Sequence, residues 1–248
     1  MLECAKSITR GDRSLMRLRT FTTGFLTGLL ALAGTATLAG YGNEPQVQDF
    51  IADMVDRHDF NRDELLEVLG QAERRDDIIE LMSKPAEKTL AWYEYRKIFL
   101  TSSRIDGGVA FWTQYADILA KAEKAYGVDP QIVVAIIGVE TRYGSNTGRH
   151  RVLDALSTLA FDYPPRSEFF TSELEQYLLL TRGENIDLLS ATGSYAGAMG
   201  YGQFIPSSYR SYAVDFDASG TRDLWNSPMD IIGSVANYFA KKGNWKPG

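Results

Sequence analysis

Cysteine and histidine are nearly absent: the 248 residues hold one cysteine, Cys4, and two histidines, His58 and His150. One cysteine excludes an internal disulfide framework and a thiolate zinc site. Two histidines so far apart in the chain argue against a histidine-rich metal centre. An excess of positive charge is missing as well, with 26 basic residues against 32 acidic ones and a net charge of −6. Residues 1–40 contain five basic and two acidic side chains, which leaves the rest of the chain at −9. A body this acidic exerts no general attraction on nucleic acid or on an anionic surface. Internal repeats, low-complexity linkers and long alternating runs are also lacking, so a large sheet is not expected. What remains is a globular composition, 44% hydrophobic, whose chemistry must rest on carboxylates, hydroxyls, amides and aromatics.

Arg17 and Arg19 precede an uncharged, small-residue run from Gly24 to Gly40. A basic stretch followed by such a run reads as a secretory signal over residues 1–40, and the run is short for a transmembrane anchor. Leu38-Ala39-Gly40 resembles the end of a lipoprotein signal, but Tyr41 stands where the lipidated cysteine would be. The expectation is an exported protein without lipid at that position.

From Val47 to Ala125 the apolar residues recur at threes and fours, as in Phe50, Ile51, Met54 and then Leu65, Val68, Leu69. That spacing predicts successive amphipathic helices over an N-terminal segment, 45–126. Asn61 before Arg62-Asp63-Glu64 predicts a helix N-cap, Pro85 a break, and Val109–Ala125 one further helix. Asp129-Pro130 opens a helix that is apolar nearly all round, through Ile132, Val133, Val134, Ile136, Ile137 and Val139, and so is expected to be buried. Glu140 closes it. Desolvation and the negative helix end both favour the protonated carboxyl there, and a carboxyl kept protonated near neutral pH can act as a general acid. The competing reading is a helix-end ion pair with Arg142.

Residues 193–204, Gly-Ser-Tyr-Ala-Gly-Ala-Met-Gly-Tyr-Gly-Gln-Phe, combine glycines that admit close backbone approach with hydrogen-bonding side chains. No Lys-Ser/Thr pair follows, which excludes a phosphate loop. A lining for an uncharged, amide-bearing sugar polymer and a plain glycine-rich turn both fit.

Glu140-Thr141-Arg142-Tyr143-Gly144 followed by Gly197 to Phe204 resembles the lysozyme-like lytic transglycosylases, and longer strings resemble the membrane-bound lytic murein transglycosylase B family. These are Val134–Thr141, Leu153–Ala160, Ala196–Tyr209, Asp223-Leu224-Trp225 and Ile232–Phe239; the resemblance covers roughly residues 45–248. It implies a mainly α fold with a lysozyme-like catalytic core, 127–248, behind the N-terminal helical segment. It also implies cleavage of the β-1,4 bond between N-acetylmuramic acid and N-acetylglucosamine, closing the muramyl C6 hydroxyl onto C1. By match, Glu140 is the acid and then the base, and the substrate's N-acetyl group steadies the developing charge. Ser194 and Gln203 contact substrate, Tyr238 lines the groove, Arg166 meets a peptide or lactyl carboxylate, and Tyr201 and Phe204 are groove walls or core.

The chemistry then needs no cofactor. The expected partners are peptidoglycan strands, with other cell-wall enzymes as further candidates and no nucleic acid; the expected location is the periplasm. A hydrolytic muramidase and a non-catalytic wall-binding or scaffold protein are the alternatives. Family chains continue past the Trp245–Gly248 end seen here, and the continuation supplies further active-site tyrosines. The expectation is a groove lacking one wall, and less activity than in an extended version.

Asp215, Asp217 and Ser219 stand at positions 1, 3 and 5 of an EF-hand-like loop with Gly220 at 6, but position 12 is Asn226 instead of glutamate. The resembled family carries a calcium site here, closed by a later aspartate that matches Asp230. A structural Ca²⁺ on Asp215, Asp217, Ser219, the Thr221 carbonyl and Asp230 is therefore expected, against the alternative of a solvated acidic turn.

Overall fold

The apolar spacing at threes and fours becomes three helices, α1 (Pro45–His58), α2 (Arg62–Gly70) and α3 (Asp76–Ser83), each with one buried face. On α1 that face is Val47, Phe50, Ile51 and Met54. Asn61 caps α2, its side chain accepting from the backbone N–H of Asp63 at 2.8 Å and of Glu64 at 3.2 Å. This is a computed structural model describing residues 40–84, 90–184 and 186–246. Cys4, Pro85 and all but the last residue of the expected export signal lie outside the described residues.

Two helices follow, α4 (Trp92–Phe99) and α5 (Ser102–Gln114), and then α6 (Ala116–Tyr126). The single helix expected over Val109–Ala125 is thus corrected to the end of α5 and all of α6. The chain breaks at Tyr115, which takes φ −114° and ψ 24° and packs its ring on Phe111 at 4.8 Å. The break has a packing cause: it lets α5 lie on the next helix while α6 lies against the last one.

That next helix, α7 (Pro130–Thr141), begins with Pro130 at its first position, where the missing N–H costs nothing. Val133, Val134, Ile137 and Gly138 are buried along it. A two-residue strand β1 (His150–Arg151) leads into α8 (Val152–Phe161), in which every residue from Val152 to Ala160 is buried. A single 3-10 turn at Pro164–Arg166 precedes α9 (Ser167–Gly183), the main packing partner of α8. Strand β2 (Thr192–Gly193) pairs antiparallel with β1, His150 opposite Gly193 and Arg151 opposite Thr192. The chain closes with α10 (Pro206–Tyr212) and α11 (Pro228–Lys241).

The expected boundary near residue 126 falls on the left-handed Gly127 turn, φ 69°. Helices on its two sides share one core: α3 packs on α8, α5 and α6 pack on α7, and α6 packs on α11. Polar ties cross the same boundary. The Asp154 carboxylate accepts from the Glu73 N–H at 2.9 Å, and the Thr158 hydroxyl oxygen accepts from the Arg75 N–H at 3.0 Å.

Candidate active site

Glu140 is the last full turn's carboxyl on α7 and is 8% exposed. Burial pushes its pKa up to about 7, far above the ordinary carboxylate value. No hydrogen bond or ion pair from another described residue reaches that carboxyl, so the expected alternative of a pair with Arg142 is not seen. Arg142 instead takes the left-handed conformation, φ 51°, that ends the helix, its N–H donating to the Gly138 carbonyl.

The other buried carboxylates accept from protein donors. Asp154 holds Arg151 and the Glu73 N–H; Glu173 accepts from the Ser207 N–H at 2.9 Å and its hydroxyl at 2.6 Å, fixing the start of α10. Asp230 accepts backbone N–H groups of Phe216 at 2.7 Å and Asp223 at 2.9 Å. Asp162 accepts from the Tyr41 hydroxyl, and Glu168 is exposed on α9. Among the described residues, Glu140 is the buried acid without a partner.

The glycine-rich loop is stitched to the chain just after Glu140. Thr141, fully buried, donates its hydroxyl to the Tyr201 carbonyl at 3.0 Å and accepts from the Gly144 N–H at 3.0 Å. Gln203 donates its amide to the carbonyls of Thr147 at 3.1 Å and Gly200 at 3.0 Å, which leaves Oε1 as an acceptor. The Ser194 hydroxyl oxygen accepts from the N–H of Ala196 at 3.2 Å and Ala198 at 3.0 Å, so its proton remains available to donate. Two glycines allow this closeness. Gly144 has φ +85° with the Tyr201 ring where a Cβ would be, and Gly148 has φ +97° against the Gly193 and Ser194 backbone.

Tyr238, on α11, is half-buried; burial first, then Tyr212 and Glu140, push its pKa up, which places it within the field of the acid. Its ring packs edge-on to Tyr212 at 5.2 Å and to Phe204 at 5.6 Å. Phe204 is 1% exposed, so of its two expected roles the structure gives core, as the support behind Tyr238, and not groove wall. Tyr201 is half-buried. Arg166 shares no hydrogen bond or ring contact with this group; it sits in the turn before α9, exposed, with its guanidinium 4.4 Å over Phe169 and 5.1 Å over Phe170.

The support beneath α7 comes from Arg104 and Tyr143, neither of which stands out in the sequence. Arg104 donates to the Gly138 carbonyl at 2.6 Å, and the Tyr143 hydroxyl donates to the Arg104 carbonyl at 3.0 Å. A cation at the C-terminal end of a helix favours the dipole, and here it gives the Gly138 carbonyl a second donor beside the Arg142 N–H. Tyr143 at φ 58° turns its ring into a slot formed by Gly107, Gly108 and Gly138. That glycine triplet was the available signal.

In the segment 215–230, carboxylate oxygens of Asp215, Asp217 and Asp230 lie within 4.8 Å of one another. No basic side chain pairs with any of the three among the described residues; the nearby Arg222 is paired with Glu184 through Nε at 2.9 Å. The Ser219 hydroxyl lies 3.5 Å from Asp215 and donates to the Thr221 carbonyl at 3.2 Å, which puts one expected neutral ligand beside one of the acids. Three converging carboxylates with neutral oxygens beside them suit a hard divalent cation.

Known proteins resemble this chain over most of its length. The family model described as "Transglycosylase SLT domain" matches residues 42–248. The membrane-bound lytic murein transglycosylase B of Escherichia coli (strain K12) is 51% identical over 217 residues, covering 84% of this chain; the chain spans 60% of that relative's length. The Escherichia coli lytic transglycosylase Slt35, solved in complex with calcium, is 50% identical with a TM-score of 0.78, over 86% of this chain and 69% of that one. SltB3 from Pseudomonas aeruginosa, solved with NAG-anhNAM-pentapeptide, is 32% identical with a TM-score of 0.73, over 84% of this chain and 55% of that one. Matched over nearly all of its described residues, with the buried glutamate and the glycine loop in the expected order, this chain belongs to the SLT-domain transglycosylase family.

Proposed function

We propose that this protein is a peptidoglycan lytic transglycosylase, cleaving the β-1,4 bond between N-acetylmuramic acid and N-acetylglucosamine with Glu140 as its only catalytic carboxyl. The observation that carries this is the buried, unpaired Glu140 carboxyl with its pKa near 7. Protonated, it gives its proton to the glycosidic oxygen as the bond to muramyl C1 breaks. Ionised, it takes the proton of the muramyl C6 hydroxyl as that oxygen bonds to C1, leaving a 1,6-anhydro end and a restored acid. No water is consumed. The developing positive charge at C1 falls to the substrate's N-acetyl group.

The Ser194 hydroxyl and the Gln203 Oε1 supply one donor and one acceptor for sugar and N-acetyl groups, with Tyr201 and Tyr238 as aromatic surfaces. Arg166, without a carboxylate partner among the described residues, is the candidate for an anionic group on the peptide. A hydrolytic muramidase normally places a second carboxyl across the bond, and the other buried acids here are already held by protein donors. Digestion of purified peptidoglycan followed by mass spectrometry separates the two chemistries. The expected products end in anhydro-muramyl residues, one water lighter than the reducing ends a muramidase would leave.

The same proposal includes one structural Ca²⁺ on Asp215, Asp217, Ser219, the Thr221 carbonyl and Asp230. The ion would offset three converging negative charges and tie the loop to the start of α11, with no part in the bond-breaking steps. A ligand that binds only the folded state raises the melting temperature. The melting temperature should therefore rise between chelator and millimolar calcium, and fail to rise in Asp217→Asn/Asp230→Asn. Export and a periplasmic site of action, with the murein layer as partner, complete the reading. Among the described residues no helix is long and apolar enough to cross a membrane.

A further inference from the structure

We infer that α4 and α5 form a lipid-facing surface by which the folded domain rests on an anionic bilayer. Of the large hydrophobic side chains left exposed among the described residues, most fall in this one short stretch: Trp92 at 73%, Tyr93 at 62%, Leu100, Ile105 at 57%, Val109 at 63% and Trp112. Helix α4 buries none of its residues, so its apolar side chains contribute nothing to the core. On α5 the buried positions Gly108 and Phe111 face α7, while Ile105, Val109 and Trp112 repeat at i, i+4 and i+7 as a separate exposed stripe. Water-facing apolar stripes of this kind mark an interaction surface.

The chemistry around the stripe suits a lipid surface. Tryptophan and tyrosine are the side chains that settle at the level of lipid headgroups. Arg96 and Lys97, in the last turn of α4, are exposed and form no ion pair among the described residues. The one acid of that helix, Glu94, is turned back onto the Ala91 N–H at 3.3 Å. A short helix with aromatic and basic residues side by side is the pattern of an interfacial helix. The rest of the chain repels an anionic surface, so the molecule would be held by this local patch and oriented with its acidic faces away.

Hydrogen exchange of the full chain, with and without vesicles of phosphatidylethanolamine and phosphatidylglycerol, tests the inference and localises any contact whatever residues 1–39 do. Amides of residues 92–112 should exchange several-fold more slowly with these vesicles, and much less so with pure phosphatidylcholine. Protection should disappear in Trp92→Ser/Tyr93→Ser and fall in Arg96→Glu/Lys97→Glu, while Leu81→Ser/Phe169→Ser, which removes exposed apolar side chains elsewhere, should leave it intact. Unchanged exchange over 92–112 while the protein is vesicle-bound would overturn the inference. So would protection that appears with rising protein concentration and no lipid, which would assign the surface to a second copy of the chain.

Discussion

Glu140→Gln should reduce turnover on peptidoglycan by at least ~10²–10⁴-fold, the range a general acid–base group supplies. Glutamine keeps the shape of the side chain and removes an unfavourable buried charge, so the fold should survive and circular dichroism should not change. It cannot donate a proton to the leaving oxygen or receive one from the C6 hydroxyl. Substrate binding should persist, because Ser194, Gln203 and the tyrosines are untouched. The pH dependence follows from the direction of the shift. With its pKa raised to about 7, the carboxyl carries the required proton below that pH and loses it above. Above that point kcat/KM should therefore fall about tenfold per pH unit. Near-normal turnover of a folded Glu140→Gln protein would make Glu140 a structural helix-end residue.

Gly148→Ala is the second large expected effect. A Cβ there would lie 2.0 Å from the Gly193 carbonyl carbon and oxygen and 2.4 Å from the Ser194 nitrogen, at φ +97°. These are backbone atoms of the β1–β2 ladder and cannot rotate away as a side chain tip would. Left-handed strain and forced overpacking each cost on the order of 1–3 kcal/mol, so the loss should be about 2–6 kcal/mol in urea unfolding. Activity should fall further than stability alone explains, because the displaced atoms carry Ser194. Gly183→Ala provides the control, since nothing lies within 4 Å of the added carbon and φ is ordinary. A Gly148→Ala protein as stable as wild type would mean that the loop does not sit against this turn.

Much of the site is legible in the sequence because its signals are local. The apolar run with one carboxyl at its end points to Glu140, although α7 buries only the face of Val133, Val134, Ile137, Gly138 and Glu140 and leaves Ile132, Ile136 and Val139 half-buried. Asn61 caps α2 as its position before Asp63 and Glu64 suggests. The glycines of the 193–202 stretch likewise announce close backbone approach. What is not legible depends on distant partners. The break at Tyr115 leaves the helical period of apolar residues intact and is decided by which helices α5 and α6 must each meet. Whether Phe204 faces substrate or core depends on Tyr238, far along the chain on α11. Arg104 and Tyr143 belong to the support of the acid through contacts 34 and 39 residues away in sequence, signalled only by the scattered Gly107, Gly108 and Gly138.

The central claim is that one buried carboxyl, held protonated near neutral pH, acts first as acid and then as base. Carbon-13 NMR of the glutamate side-chain carboxyls reads this directly, with Glu140→Gln identifying the resonance by its loss. The Glu140 carboxyl should titrate near 7, well separated from the exposed glutamates. A Glu140 that titrates with those glutamates, in the ordinary carboxylate range, would contradict the claim.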